Sequence, residues 1–167
     1  MPGLDLAARY RPTQPYPLAQ SQGALRYFVI FRIDRQSYAL PLEHVTRALR
    51  MVALTPIPDA AEGMLGMINM AGHVIPVIDL RARLGHPPRA PDINDRLLIV
   101  DVSQQTLAFV ADAVLDVLEL ALRQVSPPPL ALAQSQPLAA TIQQADELIL
   151  VLDAMRLLPA FREKTVP

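Results

Sequence analysis

Short runs of β-branched and aliphatic residues, separated by turn signals, follow one another along most of the chain. Residues 26–33 read RYFVIFRI, and residues 34–36 (DRQ) form a turn before a second run, SYALPL. Such runs bounded by turn residues predict strands, and this first pair predicts a hairpin. Repetition of the pattern at spacings of roughly 8–12 residues predicts a mainly β fold built from small barrels with a few short helices.

The stretch 66–85 reads GMINMAGHVIPVIDLRARLG and carries the densest set of local signals. Ala71-Gly72 predicts a turn between two strands, of which the second is HVIPVI. Pro76 cannot donate a hydrogen bond to a ladder, so this strand is expected at a sheet edge or at a bulge. Asp79 precedes LRARL, where its carboxylate can cap a helical turn.

The second half of the chain resembles the first. RLLIVDV followed by TLAFVADAV resembles RYFVIFRI followed by YALPLEHV, at a displacement of about 70 residues. VIPVIDLRARL (74–84) also aligns without gaps on LILVLDAMRLL (148–158), which places Asp79 on Asp153. Because an aspartate between an apolar strand and a short helix occurs in both halves, a structural capping role is favoured for both aspartates. The repeat predicts a first barrel at about 26–84 and a second at about 95–158.

The remaining segments predict an arm, a linker and a tail. Residues 1–25 are rich in Pro and Gln and are typical of a flexible N-terminal arm. GHPPRAPDIND (85–95) carries loop signals throughout and is expected to link the barrels, and residues 159–167 form a C-terminal tail. No secretory signal and no run of about 20 apolar residues occurs, so we expect no direct membrane insertion and a cytoplasmic location.

Composition and charge remove several classes of function. The 167 residues are 51% hydrophobic with a net charge of −1, which provides no electrostatic field for nucleic acid. There is no cysteine, and His44, His73 and His86 lack the spacing of a zinc site. No serine lies in a G-x-S-x-G elbow. We therefore predict no enzyme, no metal and no cofactor, and expect a protein that works by touching other proteins.

The central segment resembles the signature of the CheW-like chemotaxis coupling-protein family, which reads approximately G-x-x-N-L-R-G-x-[IV]-x-P-x-x-D-L. The matching positions here are Gly66, Asn69, Met70, Ala71, Gly72, Val74, Pro76, Asp79 and Leu80. FRIDRQSYALPLEHV before it, and FVADAVLDVLEL and ADELILVLDAMRLL after it, are similar to other strands of the family. The resemblance covers residues 26–158.

The resemblance implies two intertwined five-stranded SH3-like β-barrels and a non-catalytic function. Members of this family couple the cytoplasmic tip of a chemoreceptor to the regulatory domain of a histidine kinase in a chemosensory array. A receptor helical hairpin packs into an apolar groove between the barrels. Carried over to this chain, the groove gathers Val45, Arg47, Ala71, Gly72 and Val74, with Leu98 and Val110 as candidates for the opposing wall. Ordinary strand core is the alternative interpretation of each of these residues.

Two positions depart from the family together. Ala71 stands where the family has an arginine, and Arg47 stands where it has the glutamate thought to pair with that arginine. Removing one member of an ion pair strands a charge, whereas removing both can be nearly neutral. The sequence therefore indicates a divergent or accessory adaptor, in a pilus-type or another specialised system.

Two other classes are weighed against the adaptor. A small β-barrel that binds an apolar small ligand would need a closed pocket with a few convergent polar groups, and the sequence shows no such polar set. A regulatory fragment of a larger kinase would be expected to accompany a phosphoacceptor region or an ATP-binding domain, and the chain contains neither.

Overall fold

The computed structural model describes residues 4–5 and 24–158 of the chain. Within these residues, twelve strands form two six-stranded sheets, accompanied by three short α-helices and two 3-10 turns. The strands are β1 Leu4–Asp5, β2 Leu25–Ile33, β3 Gln36–Pro41, β4 Val45–Arg50, β5 Met64–Met70, β6 His73–Ile78, β7 Arg96–Val102, β8 Gln105–Ala111, β9 Ala113–Ala121, β10 Val125–Ser126, β11 Leu138–Gln144 and β12 Glu147–Leu152. The helices are α1 Leu80–Arg83, α2 Leu130–Ser135 and α3 Ala154–Leu157, and the 3-10 turns are Leu42–His44 and Leu122–Gln124.

Sheet A has the strand order β1-β4-β7-β8-β6-β5, and sheet B has the order β10-β11-β12-β3-β2-β9. Neighbouring strands are antiparallel except for the parallel pairs β6–β8 and β3–β12. Because β1 and β10 hold two residues each, each sheet has five principal strands. The prediction of a mainly β fold with two intertwined five-stranded units is confirmed.

The sheets do not follow the two halves of the sequence. The hairpin β2–β3 of the first half lies in sheet B, and the hairpin β7–β8 of the second half lies in sheet A. The predicted division into one barrel at 26–84 and another at 95–158 is therefore wrong, because the halves exchange their first hairpins. A local hydrophobic pattern predicts that a hairpin forms, but it does not specify which distant strand the hairpin pairs with.

The exchange is symmetrical between the two sheets. Val151 of β12 lies opposite Ala39, and its repeat equivalent Val77 of β6 lies opposite Ala108. Each exchanged hairpin thus enters the other half in the same parallel register. The internal repeat seen in the sequence corresponds to this pseudo-twofold relation between the sheets.

Strand β4 of sheet A and strand β9 of sheet B correspond to each other under the same pseudo-twofold relation. The pairing of β4 with β7 shifts by one residue between Val45 and Arg47. The pairing of β9 with β2 shifts between Val114 and Asp116, so both sheets carry a bulge at the same place. Arg47 and Asp116 therefore occupy corresponding positions just after the two bulges.

The central strands are buried on both faces. Phe28 and Ile30 of β2 pack inside the barrel of sheet B, and the intervening Val29 and Phe31 pack between the two sheets. The core between the sheets, called the shared core below, includes Val29, Phe31, Ile33, Tyr38, Leu40, Val45, Leu98, Val100, Leu107 and Phe109. Strands with two buried faces read as continuous apolar runs without polar alternation, as RYFVIFRI and RLLIVDV do.

Pro76 lies inside a sheet and not at its edge. β6 pairs with β5 on one side and with β8 on the other. Met67, opposite Pro76, exchanges backbone hydrogen bonds of 2.9 Å with Thr55 on its far side, so Met67 and Pro76 are a non-hydrogen-bonded pair. Pairing with β8 begins only at Val77. Proline is tolerated here because neither neighbouring strand requires its missing N–H.

The structure tests only part of the predicted arm and tail. Residues 6–23 of the arm and residues 159–167 of the tail lie outside the described residues. Leu4–Asp5 pairs with β4 as strand β1. Two residues are too few to show a strand pattern, and their pairing depends on the edge that β4 offers.

Candidate interaction surfaces

Asp79 and Asp153 begin the short helices that follow β6 and β12. The Asp79 carboxylate accepts a hydrogen bond from the backbone N–H of Ala82, with an O–N distance of 3.1 Å. The Asp153 carboxylate accepts one from the N–H of Met155 at 3.0 Å. Both side chains therefore serve as helix N-caps.

Three of the predicted groove residues lie in the cores. Val45 is 1% exposed and Leu98 is 0% exposed, both in the shared core, and Val110 is 8% exposed inside the barrel of sheet A. The expectation that Leu98 and Val110 form the wall of an open groove is therefore wrong. Val45 is also buried, so its side chain does not line an open groove. Both Leu98 and Val110 lie on central strands that are covered on both faces, a position that the local pattern does not reveal.

The other four predicted residues are exposed on sheet A. Ala71 and Gly72 form the two-residue β5–β6 turn with φ angles of 51° and 84°, the combination of a type I′ hairpin turn. Asn69 Oδ1 accepts a hydrogen bond of 3.0 Å from the Gly72 N–H and fixes the turn. Val74 follows it with 64% of its surface exposed, and Arg47 is exposed on β4. The turn thus presents a small apolar surface to solvent.

Arg47 and the β5–β6 turn both belong to the barrel of sheet A. Sheet A curls so that the segment after β4 returns to β5, where Thr55 and Met67 are paired. Among the described side chains, no hydrogen bond or ion pair joins Arg47 to the turn. Arg47 and Ala71 offer a cation and an apolar turn at the two positions.

A second apolar surface lies on the same barrel. Residues 51–54, Leu65 and residues 91–93 line an open hollow of about 480 Å³, called the apolar hollow below. Val52 and Ile93 remain 50% and 82% exposed at its rim. Exposed apolar side chains gathered in one place are typical of protein contact surfaces.

A cluster of charged residues joins the two sheets and the linker. The residues of this polar junction are Asp34, Arg81, His86, Arg89, Asp95 and Asp112, with the hydroxyl of Tyr38. Arg81, on α1, donates hydrogen bonds of 2.8 Å to Asp34 in the β2–β3 turn and to both oxygens of Asp112 between β8 and β9. Arg89 donates to Asp95 and Asp112, each at 2.8 Å. The linker 85–95 is therefore attached to both sheets.

Sequence reasoning missed the polar junction. Its members are 31 residues apart for Arg81 and Asp112 and 47 apart for Arg81 and Asp34, so no local spacing reveals them. Asp112 could be read from the sequence only as a loop or surface acid. The one signal that points to the junction is a loop that contains Arg89 and Asp95 directly between two predicted barrels.

Hydrogen bonds and burial shift the pKa values of several groups in the junction. Hydrogen bonds from Arg81 hold the pKa of Asp34 below its ordinary value. Burial acts to raise the pKa of Asp112, but hydrogen bonds from Arg81, the Asp34 amide and Arg89 outweigh it, so this pKa is also lowered. An ionised Asp34 only accepts, so His86 Nδ1 donates to it at 3.1 Å, and Nε2 of the same ring lies 2.6 Å from the Tyr38 hydroxyl. Burial raises the pKa of Tyr38 to about 12.

The described residues hold no candidate for metal chemistry. No three of their His, Asp or Glu side chains are placed to bind an ion together. His86 belongs to the polar junction, and His73 is exposed beside the β5–β6 turn. Both barrel interiors are filled by side chains, so the alternative of a barrel around an apolar small ligand gains no support. Across the described part of the chain, no helix is long and apolar enough to cross a membrane.

Interlocked five-stranded barrels with exposed apolar surfaces define a small β scaffold that acts through protein contacts. Comparison with known proteins identifies the family. The CheW-like domain matches residues 27–162, and the chain belongs to this family of chemotaxis coupling proteins.

Similar proteins agree in sequence and in structure. The chemotaxis protein CheW of Rhizobium meliloti (strain 1021) is 30% identical over 104 residues, which cover 62% of this chain and 67% of that protein. Protein FrzA of Myxococcus xanthus is 29% identical over 168 residues, which cover 99% of this chain and 98% of FrzA. The crystal structure of the scaffolding protein TtCheW from Thermoanaerobacter tengcongensis superposes with a TM-score of 0.72 at 27% identity, covering 78% of this chain and 90% of TtCheW.

Proposed function

We propose that this protein is a non-catalytic, cytoplasmic adaptor that couples the tip of a chemoreceptor to the regulatory domain of a histidine kinase in a bacterial chemosensory array. The observation that carries the proposal is the twin-barrel fold, which matches the scaffolding protein TtCheW over 78% of the chain. The polar junction keeps the barrels and the linker in a fixed arrangement, as a protein that holds two partners requires.

The receptor surface is proposed to lie at the β5–β6 turn and to extend toward Arg47. Ala71, Gly72 and Val74 offer exposed apolar contacts on a rigid turn, and an apolar turn suits a helical hairpin with an apolar face. Replacement of the family's ion pair by Arg47 and Ala71 favours a receptor whose charge differs at this place. This change, together with the nearly full-length similarity to FrzA, supports a specialised or accessory chemosensory system.

Val74→Lys is expected to weaken binding to the receptor tip by about tenfold, because about 1–2 kcal/mol of apolar contact is lost and an ammonium group loses water. Binding to the kinase regulatory domain should not change. The measurement is a fluorescence titration of each purified partner with the parent and the variant. Val74 is 64% exposed, so the fold should tolerate lysine there.

Leu130→Lys provides the matched control. Leu130 is 73% exposed on α2, outside sheet A, and receives the same change from an apolar side chain to lysine. It should bind both partners as the parent does. Equal receptor affinity of Val74→Lys and the parent would remove the β5–β6 turn from the receptor surface. Val45 is unsuitable for this test because a charge there would lie in the shared core.

A further inference from the structure

Strands β4 and β9 show the same order of exposed and half-buried residues after their bulges. Residues 47–50 and residues 116–119 both run exposed, half-buried, half-buried, exposed along the strand. The pairings of these four positions with β7 and with β2 also correspond, residue for residue. Sheets A and B therefore offer a partner two surfaces with the same backbone register and the same pattern of exposure.

The charges on these two surfaces are opposite. The exposed residues of β4 are Arg47 and Arg50, and the residues at the same positions of β9 are Asp116 and Glu119. Glu119 also accepts a hydrogen bond of 2.7 Å from the hydroxyl of Tyr27 on the neighbouring strand. The pseudo-twofold relation of the backbone is thus combined with a reversal of charge at both exposed positions.

The turns beside these strands differ in the same direction. The β5–β6 turn corresponds to the β11–β12 turn, in which Ala145 has a φ of 50° and Ala71, its equivalent, has a φ of 51°. Gly72 corresponds to the exposed Asp146. Sheet B therefore carries a further carboxylate at the place where the turn of sheet A is uncharged.

Arg50 extends the receptor surface proposed at the β5–β6 turn. The bridge between Thr55 and Met67 is antiparallel, and β5 runs toward the turn. The chain from Thr55 back to Arg50 therefore runs in the direction of the same turn. A helical hairpin that contacts the turn would lie beside this end of β4.

The cations of β4 have no acidic partner in the barrels. Within residues 24–158, neither Arg47 nor Arg50 forms an ion pair. Arg50 lies directly opposite Arg96 of β7, and like charges in this position repel each other. β1 places Asp5 opposite Arg47 in register, and the five N–H donors of a guanidinium group can serve more than one carboxylate. A carboxylate from a partner would reduce the repulsion at β4.

We propose that the receptor surface of sheet A selects an acidic receptor tip: carboxylates of the receptor hairpin contact Arg47 and Arg50, and the charges of Asp116 and Glu119 keep the same hairpin off the equivalent surface of sheet B. The selection rests on the proposed function, because it uses the receptor surface given there. Attraction at one surface and repulsion at its equivalent together make a contact specific. The adaptor therefore binds the receptor tip on sheet A alone.

Reversal of charge on β4 tests the attraction. The full-length Arg47→Glu/Arg50→Glu variant should bind the receptor tip about tenfold more weakly, mainly through slower association, and added salt should no longer weaken its binding. A receptor tip whose surface Asp and Glu residues are replaced by Asn and Gln should cause the same two changes with the parent protein. Stopped-flow fluorescence at several salt concentrations measures the association and dissociation rates.

Arg35→Glu/Arg123→Glu is the matched control. It makes the same change in net charge at two exposed positions outside sheet A, one in the β2–β3 turn and one in the 3-10 turn Leu122–Gln124. This variant should bind the receptor tip as the parent does. Circular dichroism shows for each variant that the fold is retained.

Transfer of residues from sheet A to sheet B tests the repulsion. Asp116→Arg/Glu119→Arg/Asp146→Gly gives sheet B the residues that sheet A has at the equivalent positions. This variant should bind a second receptor tip, which a saturating titration detects as a higher stoichiometry. A stoichiometry equal to that of the parent would overturn exclusion by charge.

The remaining outcomes separate the selection from the proposed function. If Arg47→Glu/Arg50→Glu associated with the receptor tip as fast as the parent, or faster, the selection of an acidic tip would be overturned and the adaptor function would stand. Equal association with the acidic and the neutralised tip would overturn it in the same way. Failure of the parent and of every variant to bind the receptor tip would overturn the proposed function together with the selection.

Discussion

Arg81→Met is expected to lower the free energy of unfolding by about 3 kcal/mol, near the lower end of the cost of breaking a buried ion pair. Arg81 is 7% exposed and donates to Asp34 and Asp112, each at 2.8 Å. Methionine retains an unbranched apolar stem but leaves two carboxylates without their common cation. Because the Asp34 and Asp112 side chains are 39% and 26% exposed, water compensates for part of the loss. Urea unfolding followed by circular dichroism measures the change.

Two further variants separate the ion pairs from the loss of a long side chain. Arg83→Met, on the same helix, removes only hydrogen bonds to the carbonyl oxygens of Arg156 and Leu158 and should cost about 1 kcal/mol. Adding Asp34→Asn and Asp112→Asn to Arg81→Met should restore most of the stability, because no unpaired charge then remains. A stability of Arg81→Met within about 0.5 kcal/mol of the parent would contradict a stabilising polar junction.

The same junction gives stability a dependence on acid pH. The folded pKa values of Asp34 and Asp112 are lowered, so their contribution is complete above the ordinary carboxyl pKa and is lost as the pH falls below it. The parent should therefore lose stability below about pH 4. Arg81→Met should lose less over the same interval, because its carboxylates no longer have this partner.

Gly66→Ala is expected to destabilise the protein by about 3 kcal/mol or more, combining backbone strain with a steric clash. Gly66 has φ of 150°, and a Cβ atom there would lie 2.7 Å from the backbone oxygen of Thr55. Thr55 forms the bridge to Met67 that curls sheet A, so the oxygen cannot retreat without breaking that pairing. The effect should appear in urea unfolding and as faster amide exchange of Thr55 and Met67.

Gly63→Ala is the matched control for this substitution. Gly63 also has a positive φ, 86°, but a Cβ atom there meets nothing within 4 Å. It should cost about 1 kcal/mol from backbone strain alone. Equal costs at the two positions would mean that the Thr55 backbone moves aside, and the bridge would then not be needed to close the barrel.

The sequence predicts elements better than it predicts their partners. Strands such as RYFVIFRI and the caps Asp79 and Asp153 follow from local patterns, because apolar runs and a carboxylate before a helix act within a few residues. The exchange of hairpins depends on parallel pairings between β3 and β12 and between β6 and β8, which join distant segments. No periodicity in either strand specifies the other one.

Only part of the candidate site can be predicted from the sequence, because local patterns do not specify which strands pair. The exposed turn at Ala71-Gly72 is predictable because a turn between two strands reaches the surface of the protein. Leu98 and Val110 have the same apolar pattern whether their strands are central or outermost, and only the assembled sheets show that they are buried. The polar junction and β1 depend on contacts over long sequence distances. Apart from the charged loop that contains Arg89 and Asp95, the sequence contains no local signal for them.

The most direct test of the adaptor function is a titration of the purified protein with the kinase regulatory domain and with the receptor cytoplasmic tip, first separately and then together. A coupling adaptor should bind each partner saturably and reversibly, and the receptor should still bind when the kinase domain is saturating. Binding to neither partner, under conditions in which the protein is folded by circular dichroism, would contradict the adaptor function.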